Sequence, residues 1–244
     1  MLPYVLIHGA GGSKRRWERV LPHLRREALA IDLPGRGDKP GDLDALTVRD
    51  FAASVVADMD AAGIDRAIVG GASLAGLTMV TLAEFIPERI ARLVFVNCVV
   101  PPDGKGNFDV VGHIVKEMVD AYGVGPDGRS LHPDAIRAYH CNDMDEEQIQ
   151  FAVAGMVKDA RKPLHQPISL AGIKAHPLPC TWVVGTIDQV IPPDVQRQCA
   201  ATLADCGCPL DVLELEAGHM APISRPQELA ALLDEIGDTT EAAA

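Results

Sequence analysis

Three short stretches hold residue types that together could carry out nucleophilic chemistry. The first, Ala67-Ile-Val-Gly-Gly-Ala-Ser-Leu-Ala-Gly76, sets one serine in a cluster of small residues between an apolar run and a helical pattern. A tight strand-to-helix turn of this kind lifts a hydroxyl clear of a sheet, provided the residues two positions either side are small. Here they are Gly71 and Ala75. Glycine is usual at the second of these positions, and Gly76 follows directly. The helix that starts here has its positive dipole end at Ser73, and the Leu74 N–H could donate to an oxyanion forming on a substrate. The simpler reading is that serine merely caps the helix, since it is a favoured N-cap. Ser73 needs partners to decide between the two.

Two later stretches supply them. Thr181-Trp-Val-Val-Gly-Thr186 reads as a strand and leads into Ile187-Asp188-Gln-Val-Ile-Pro-Pro193. That places a carboxylate just past a strand's C-terminal end, where parallel sheets gather ligand chemistry. Asp188 could hold one nitrogen of a histidine and stabilise the imidazolium. The last strand leads into Glu216-Ala-Gly-His-Met-Ala-Pro222, where Gly218 allows the bend that swings His219 inward. His219 would take the Ser73 proton during attack and return it to the leaving group. Each has a bland alternative: Asp188 as the start of a Pro-Pro turn, His219 as a solvated loop residue. Asp103, on the loop after the fourth strand, is the rival acid.

A fourth stretch, His8-Gly-Ala-Gly-Gly-Ser13, follows the first strand, and its glycines allow backbone N–H groups close to a substrate. A phosphate cradle is excluded, because neither G-x-G-x-x-G nor a following Lys-Ser/Thr is present. His8 ends a buried strand and reads as structural.

The elements that must position these residues alternate short apolar runs with amphipathic ones, as βαβ units around a parallel sheet do. Strands are expected at Tyr4–Ile7, Ala28–Asp32, Ala67–Gly70, Leu93–Val99, Cys180–Gly185 and Asp211–Glu216. Helices are expected at Trp17–Leu24, from a Thr47 cap to about Ala62, at Leu77–Phe85 and at Pro226–Ile236, the last followed by a frayed Ala-rich tail. From Pro101 to Pro179 the pattern shows helices only (Val110–Ala121, Pro133–Tyr139, Asp145–Val157). The division is therefore a core of residues 1–100 and 180–244, with a helical cap inserted at 101–179. The cap's apolar residues Val110, Val111, Ile114, Met118, Phe151 and Met156 are expected mainly to pack on one another.

The 244 residues suffice for one such core, and the net charge of −12 argues against a nucleic-acid or anionic-membrane surface. No signal peptide or membrane-spanning run is visible. Six dispersed cysteines without CxxC pairing point to a reducing compartment, hence the cytoplasm. Cys206-Gly-Cys208 lacks the companions of a zinc site, so no metal is expected.

GAGGSxxxW, the serine turn, VVGTxDxVIPP and AGHMxxxSRP jointly resemble the α/β-hydrolase superfamily, in which the triad arrives in the order Ser, Asp, His. The resemblance implies an α/β-hydrolase fold, a doubly wound parallel sheet of about six strands with a helical cap. It places the second oxyanion donor at the Ala10 N–H and calls for no cofactor. Ala138-Tyr-His-Cys-Asn-Asp143 and the helix after it look like a cap segment of the plant-type methylesterase and hydroxynitrile-lyase group and its bacterial relatives. Lyases of that group carry threonine after the loop histidine and lysine after the catalytic one, where this chain has Gly9 and Met220. The resemblance thus implies a carboxylesterase acting on a small or methyl-type ester through an acyl-enzyme on Ser73. The alternatives are a C–C-bond or lactone hydrolase with the same triad, a lyase or perhydrolase, and a slow-turnover ligand sensor. The expected partner is a small-molecule ester, with the oligomeric state open, a homodimer included.

Overall fold

The structure is a computed structural model that describes residues 1–125 and 131–243. Its sheet contains β1 (Tyr4–Ile7), β2 (Ala28–Ile31), β3 (Ala67–Ala72), β4 (Ile90–Val96), β5 (Cys180–Gly185) and β6 (Leu210–Leu215). All neighbours pair in parallel, in the order β2-β1-β3-β4-β5-β6. The central strands read as unbroken apolar runs because both faces are covered. Along β4, Leu93 and Phe95 enter one core cluster while Val94 and Val96 enter the other. Phe95 also stacks on Trp182 of β5, ring centroids 5.2 Å apart.

One face is covered by α1 (Val48–Ala61), α2 (Ala75–Leu82) and α8 (Pro193–Asp205). Thr47 and Asp50 form a capping box at the start of α1, and Phe51, Val55 and Met59 form its buried stripe. The other face carries Trp17 and Val20 and the long C-terminal helix, α10 (Pro226–Ala242), which follows the short α9 (Ala221–Ser224). Between β4 and β5 lie α3 (Asn107–Tyr122), α4 (Pro133–Ala135), a π-helical turn at Ile136–His140, α5 (Glu146–Ala154), α6 (Arg161–His165) and α7 (Ala171–Ala175). None of the described residues between 101 and 179 joins the sheet; Val124 and Leu131 make only an isolated bridge.

Several boundaries differ from the sequence reading. The helix expected at Trp17–Leu24 is two 3-10 turns, Lys14–Trp17 and Leu21–His23, with Pro22 removing a donor that a continuous helix would need. Strand β4 stops at Val96 rather than Val99, because Asn97 turns into the left-handed region (φ 48°). The helix expected over Asp145–Val157 ends at Ala154, with Gly155 at its C-cap. The tail expected to fray is helical to Ala242. Buried Arg26 holds it there through Asp238 and Glu241, and Thr240 is buried against the body. No helix of the described residues is long and apolar enough to cross a membrane.

Candidate active site

From β1 the chain crosses first to β2 and then back to β3 on the opposite side. At such a reversal the loops leaving the two strands diverge and open a crevice at their carboxyl ends. The glycine loop after β1 and Ser73 after β3 face each other across this crevice, the approach being close enough that residue 9 must be glycine. A Cβ there would lie 2.7 Å from Ser73 Cβ and 2.8 Å from the Ala72 carbonyl oxygen.

Ser73 adopts φ 57°, a left-handed conformation that non-glycine residues rarely hold. Its amide donates to the Val96 carbonyl oxygen and its carbonyl accepts from Val99 N–H, so the turn is bolted to β4 and the loop beyond it. The requirement for glycine has moved one place along the motif. Ala75 is buried without difficulty, whereas a Cβ at Gly76 would lie 2.3 Å from the Val99 carbonyl oxygen. Among the described residues, the Leu74 and Ala10 amides donate to no protein acceptor, which leaves both open to the crevice.

Asp188 and His219, from the loops after β5 and β6, complete a line of hydrogen bonds. His219 Nε2 is 3.0 Å from Ser73 Oγ, and His219 Nδ1 is 2.9 Å from Asp188 Oδ2. With a carboxylate as its partner, Nδ1 carries the proton, and the Nε2 lone pair faces the serine hydroxyl. The Asp188 side chain is wholly buried, so the fold must satisfy its charge. Oδ1 accepts from the Val190 and Ile191 amides at 2.8 and 2.9 Å; Oδ2 also accepts from Asn97 Nδ2 at 3.0 Å and Gln196 Nε2 at 3.2 Å.

Sequence reasoning missed Asn97 and Gln196, although an asparagine closing an apolar strand was a readable signal. It also missed what the cap contributes. Asp143 accepts from the Gly218 amide at 2.8 Å, beside His219, and Asn142 donates to the Ile187 carbonyl oxygen at 2.8 Å, beside Asp188. Two adjacent cap residues thus hold both loops. The rival acid, Asp103, is instead engaged with Lys174 and the Leu170 amide. His8 accepts from the Leu33 amide through Nε2 and contacts the Gly9 carbonyl through Nδ1. Burial pushes its pKa down to about 4, so it is a neutral brace between two loops.

A cavity of about 940 Å3 opens over Ser73 and His219. Val111, Met118 and Met156 line it, yet Met118 also packs with Ile114 and Met156 with Phe151, as expected, while Val111 packs into the core against the sheet. His140 stands edge-on to His219, ring centroids 5.3 Å apart, and among the described residues its Nδ1 has no partner. Burial, followed by the neighbouring His219 and Arg16, holds His140 well below the usual imidazole range. All six cysteines are free and buried, and no group of three metal-ligating side chains gathers among the described residues.

Residues 4–232 match the model of the alpha/beta hydrolase family. The chain belongs to that family. Among the relatives of this hydrolase chain, the dihydrolipoyllysine-residue acetyltransferase component of the acetoin cleaving system of Pseudomonas putida is 26% identical over 240 residues. That alignment takes in 93% of this chain and spans only 61% of the longer relative. Methylesterase 7 of Arabidopsis thaliana is 25% identical over 256 residues, covering 96% of each chain. An extracellular alpha/beta-hydrolase from a Paenibacillus species, described as sharing structural and functional homology with tobacco salicylic acid binding protein 2, superposes with a TM-score of 0.82. It is 22% identical, with 96% of this hydrolase chain and 98% of the neighbour covered.

Proposed function

We propose that this hydrolase is a serine carboxylesterase for small esters, methyl esters among them, working through an acyl-enzyme on Ser73. One observation carries the reading: the line from Ser73 Oγ through His219 to buried Asp188, with links of 3.0 and 2.9 Å, at the wall of a large cavity. Ser73 Oγ attacks the ester carbonyl carbon as His219 Nε2 takes its proton. The Leu74 and Ala10 amides receive the oxyanion. Collapse breaks the bond to the alkoxide, which leaves with the proton from His219. Water, deprotonated by the same imidazole, then attacks the acyl carbon and frees the acid and Ser73. Asp188 holds the imidazole in orientation and faces the charge it acquires. Asn97, Gln196 and Asp143 act as positioning residues.

Two features favour ester hydrolysis over cyanohydrin cleavage. Met220, which is buried, follows His219, so no lysine ammonium stands there to stabilise a departing cyanide. Threonine at position 9 would collide with Ser73 and the Ala72 carbonyl. The methylesterase among the relatives supports the ester class, and the six buried free thiols support the cytoplasm as the compartment.

The test is labelling by a fluorophosphonate together with hydrolysis of p-nitrophenyl and methyl esters of graded acyl length. The expected result is rapid labelling and turnover, both abolished in Ser73→Ala and severely slowed in His219→Ala. Folded protein that neither labels nor cleaves any ester would overturn the reading.

A further inference from the structure

The basic run Lys14-Arg15-Arg16, with Arg19 a turn later, borders the glycine loop, and its members meet different fates. Lys14 pairs with Asp32, and Arg15 pairs with Glu18. Arg19 pairs with Glu147, and the guanidinium groups of Arg15 and Arg19 both lie over the Phe151 ring. Arg16 alone turns inward. It lines the cavity shared with Ser73 and His219, and among the described residues it has no carboxylate partner. Its Nη2 folds back onto the loop that carries Ala10, at 3.4 Å from where a Gly12 Cβ would sit.

We propose that Arg16 is a specificity residue that receives a carboxylate on the substrate, so that the preferred ester carries one negative charge besides its scissile bond. This inference rests on the ester-hydrolase reading. Arg16 is half-buried, so its guanidinium faces the cavity with donors open to a ligand, and a planar fork of donors matches a carboxylate. Desolvation by the surrounding protein, only partly offset by Cys141, lowers Arg16 to about 10, which still leaves it charged at neutral pH. The other charges on the lining are placed differently. Asp159 is taken by Arg36 and the Gly11 amide, while Asp42, Asp44, Lys158 and Arg161 are exposed at the rim. With the rim charges balanced, two acids against two bases, Arg16 is the one cation among the described lining residues that faces inward, which suits a monoanion better than a phosphate dianion. Val111, Val115, Met118 and Leu164 offer apolar wall for the rest of the molecule. The overall charge of −12 makes a local cation the more necessary for an anionic substrate.

The test compares monomethyl esters of straight-chain dicarboxylic acids, from succinate to suberate, with the matching dimethyl esters, in wild type, Arg16→Gln and Arg16→Lys. In wild type at least one half-ester should exceed its dimethyl partner in kcat/KM by roughly tenfold, about 1.4 kcal/mol. Arg16→Gln should erase that preference while leaving dimethyl-ester turnover and fluorophosphonate labelling within about threefold, and Arg16→Lys should restore part of it. Dimethyl esters preferred at every length, or an equal fall for both classes in Arg16→Gln, would overturn the proposal. Calorimetric binding of half-esters and diesters to Ser73→Ala separates the two readings. Charge-selective, Arg16-dependent binding without turnover sinks the esterase and keeps the anion site, whereas turnover without charge selection does the reverse.

Discussion

Replacing Asn97 by alanine or by glycine separates two demands that the fold makes on one buried residue. Its Nδ2 donates to Asp188 Oδ2 and to the Gly218 carbonyl oxygen, both at 3.0 Å, and its backbone sits at φ 48°. Losing a hydrogen bond to a buried carboxylate costs about 2 kcal/mol, and orphaning the Gly218 carbonyl adds about 1 kcal/mol. The carboxylate keeps four other donors, which holds the first figure near the low end of its range. Asn97→Gly should therefore lose about 3 kcal/mol. Asn97→Ala should lose roughly 1 kcal/mol more, because alanine pays for the left-handed conformation that glycine and asparagine tolerate. Urea unfolding at pH 7, with equal m-values across the series, measures both differences. Steady-state kinetics on a methyl ester should show kcat down by about tenfold or more in either variant, with KM little changed, as the acid loses a lateral restraint. If Asn97→Gly stays within about 1 kcal/mol of wild type, or the two variants are equally stable, the account of Asn97 as donor and left-handed hinge is wrong.

Three further outcomes follow from the same geometry. Gly9→Ala should cut kcat/KM and the fluorophosphonate labelling rate together, and cost about 1–3 kcal/mol in urea, since its Cβ would fall 2.7 Å from Ser73 Cβ; unchanged labelling would contradict this. His8 is held near a pKa of about 4 against 6.5 when unexposed to the fold, so above pH 6.5 both states are neutral and the group has no effect. Between pH 6.5 and 4 only the unfolded chain takes up a proton, so stability falls with pH by up to about 3 kcal/mol; His8→Gln, which keeps an acceptor for the Leu33 amide, should lower the slope over pH 4–7 by one proton's worth. The double change Asp238→Asn with Glu241→Gln should destabilise by about 3 kcal/mol, because it strips the buried Arg26 guanidinium of its acids. A thermal midpoint equal to wild type would show that the C-terminal helix needs no such anchor.

The sequence by itself determined the features that are local in the chain. Strand runs such as Tyr4–Ile7 and Cys180–Gly185 must be buried on both faces, and the Thr47 and Asp50 side chains cap α1 within one turn of each other. Ser73, Asp188 and His219 stood out because each follows a strand end and carries its turn signal with it, and the structure brings all three within hydrogen-bond distance. Tertiary structure alone decided the features that depend on contacts across the chain. Gln196 looks like an ordinary polar residue until α8 brings its amide to Asp188, and the partner of Asn97, though its place at a strand end was readable, emerges only when β5 lies beside β4. The Ala-rich tail reads as frayed until Arg26, more than 200 residues away, meets Asp238 and Glu241. Within the cap, 3.6-residue periodicity identifies an apolar stripe but not what it faces. Met118, which shares one packing cluster with Ile114, also borders the cavity, and Val111 borders it while packing into the core against the sheet. The same holds for Arg16. In a run of bases each side chain is equally free to be solvated, and only the folded surroundings partner its neighbours and leave it facing the site.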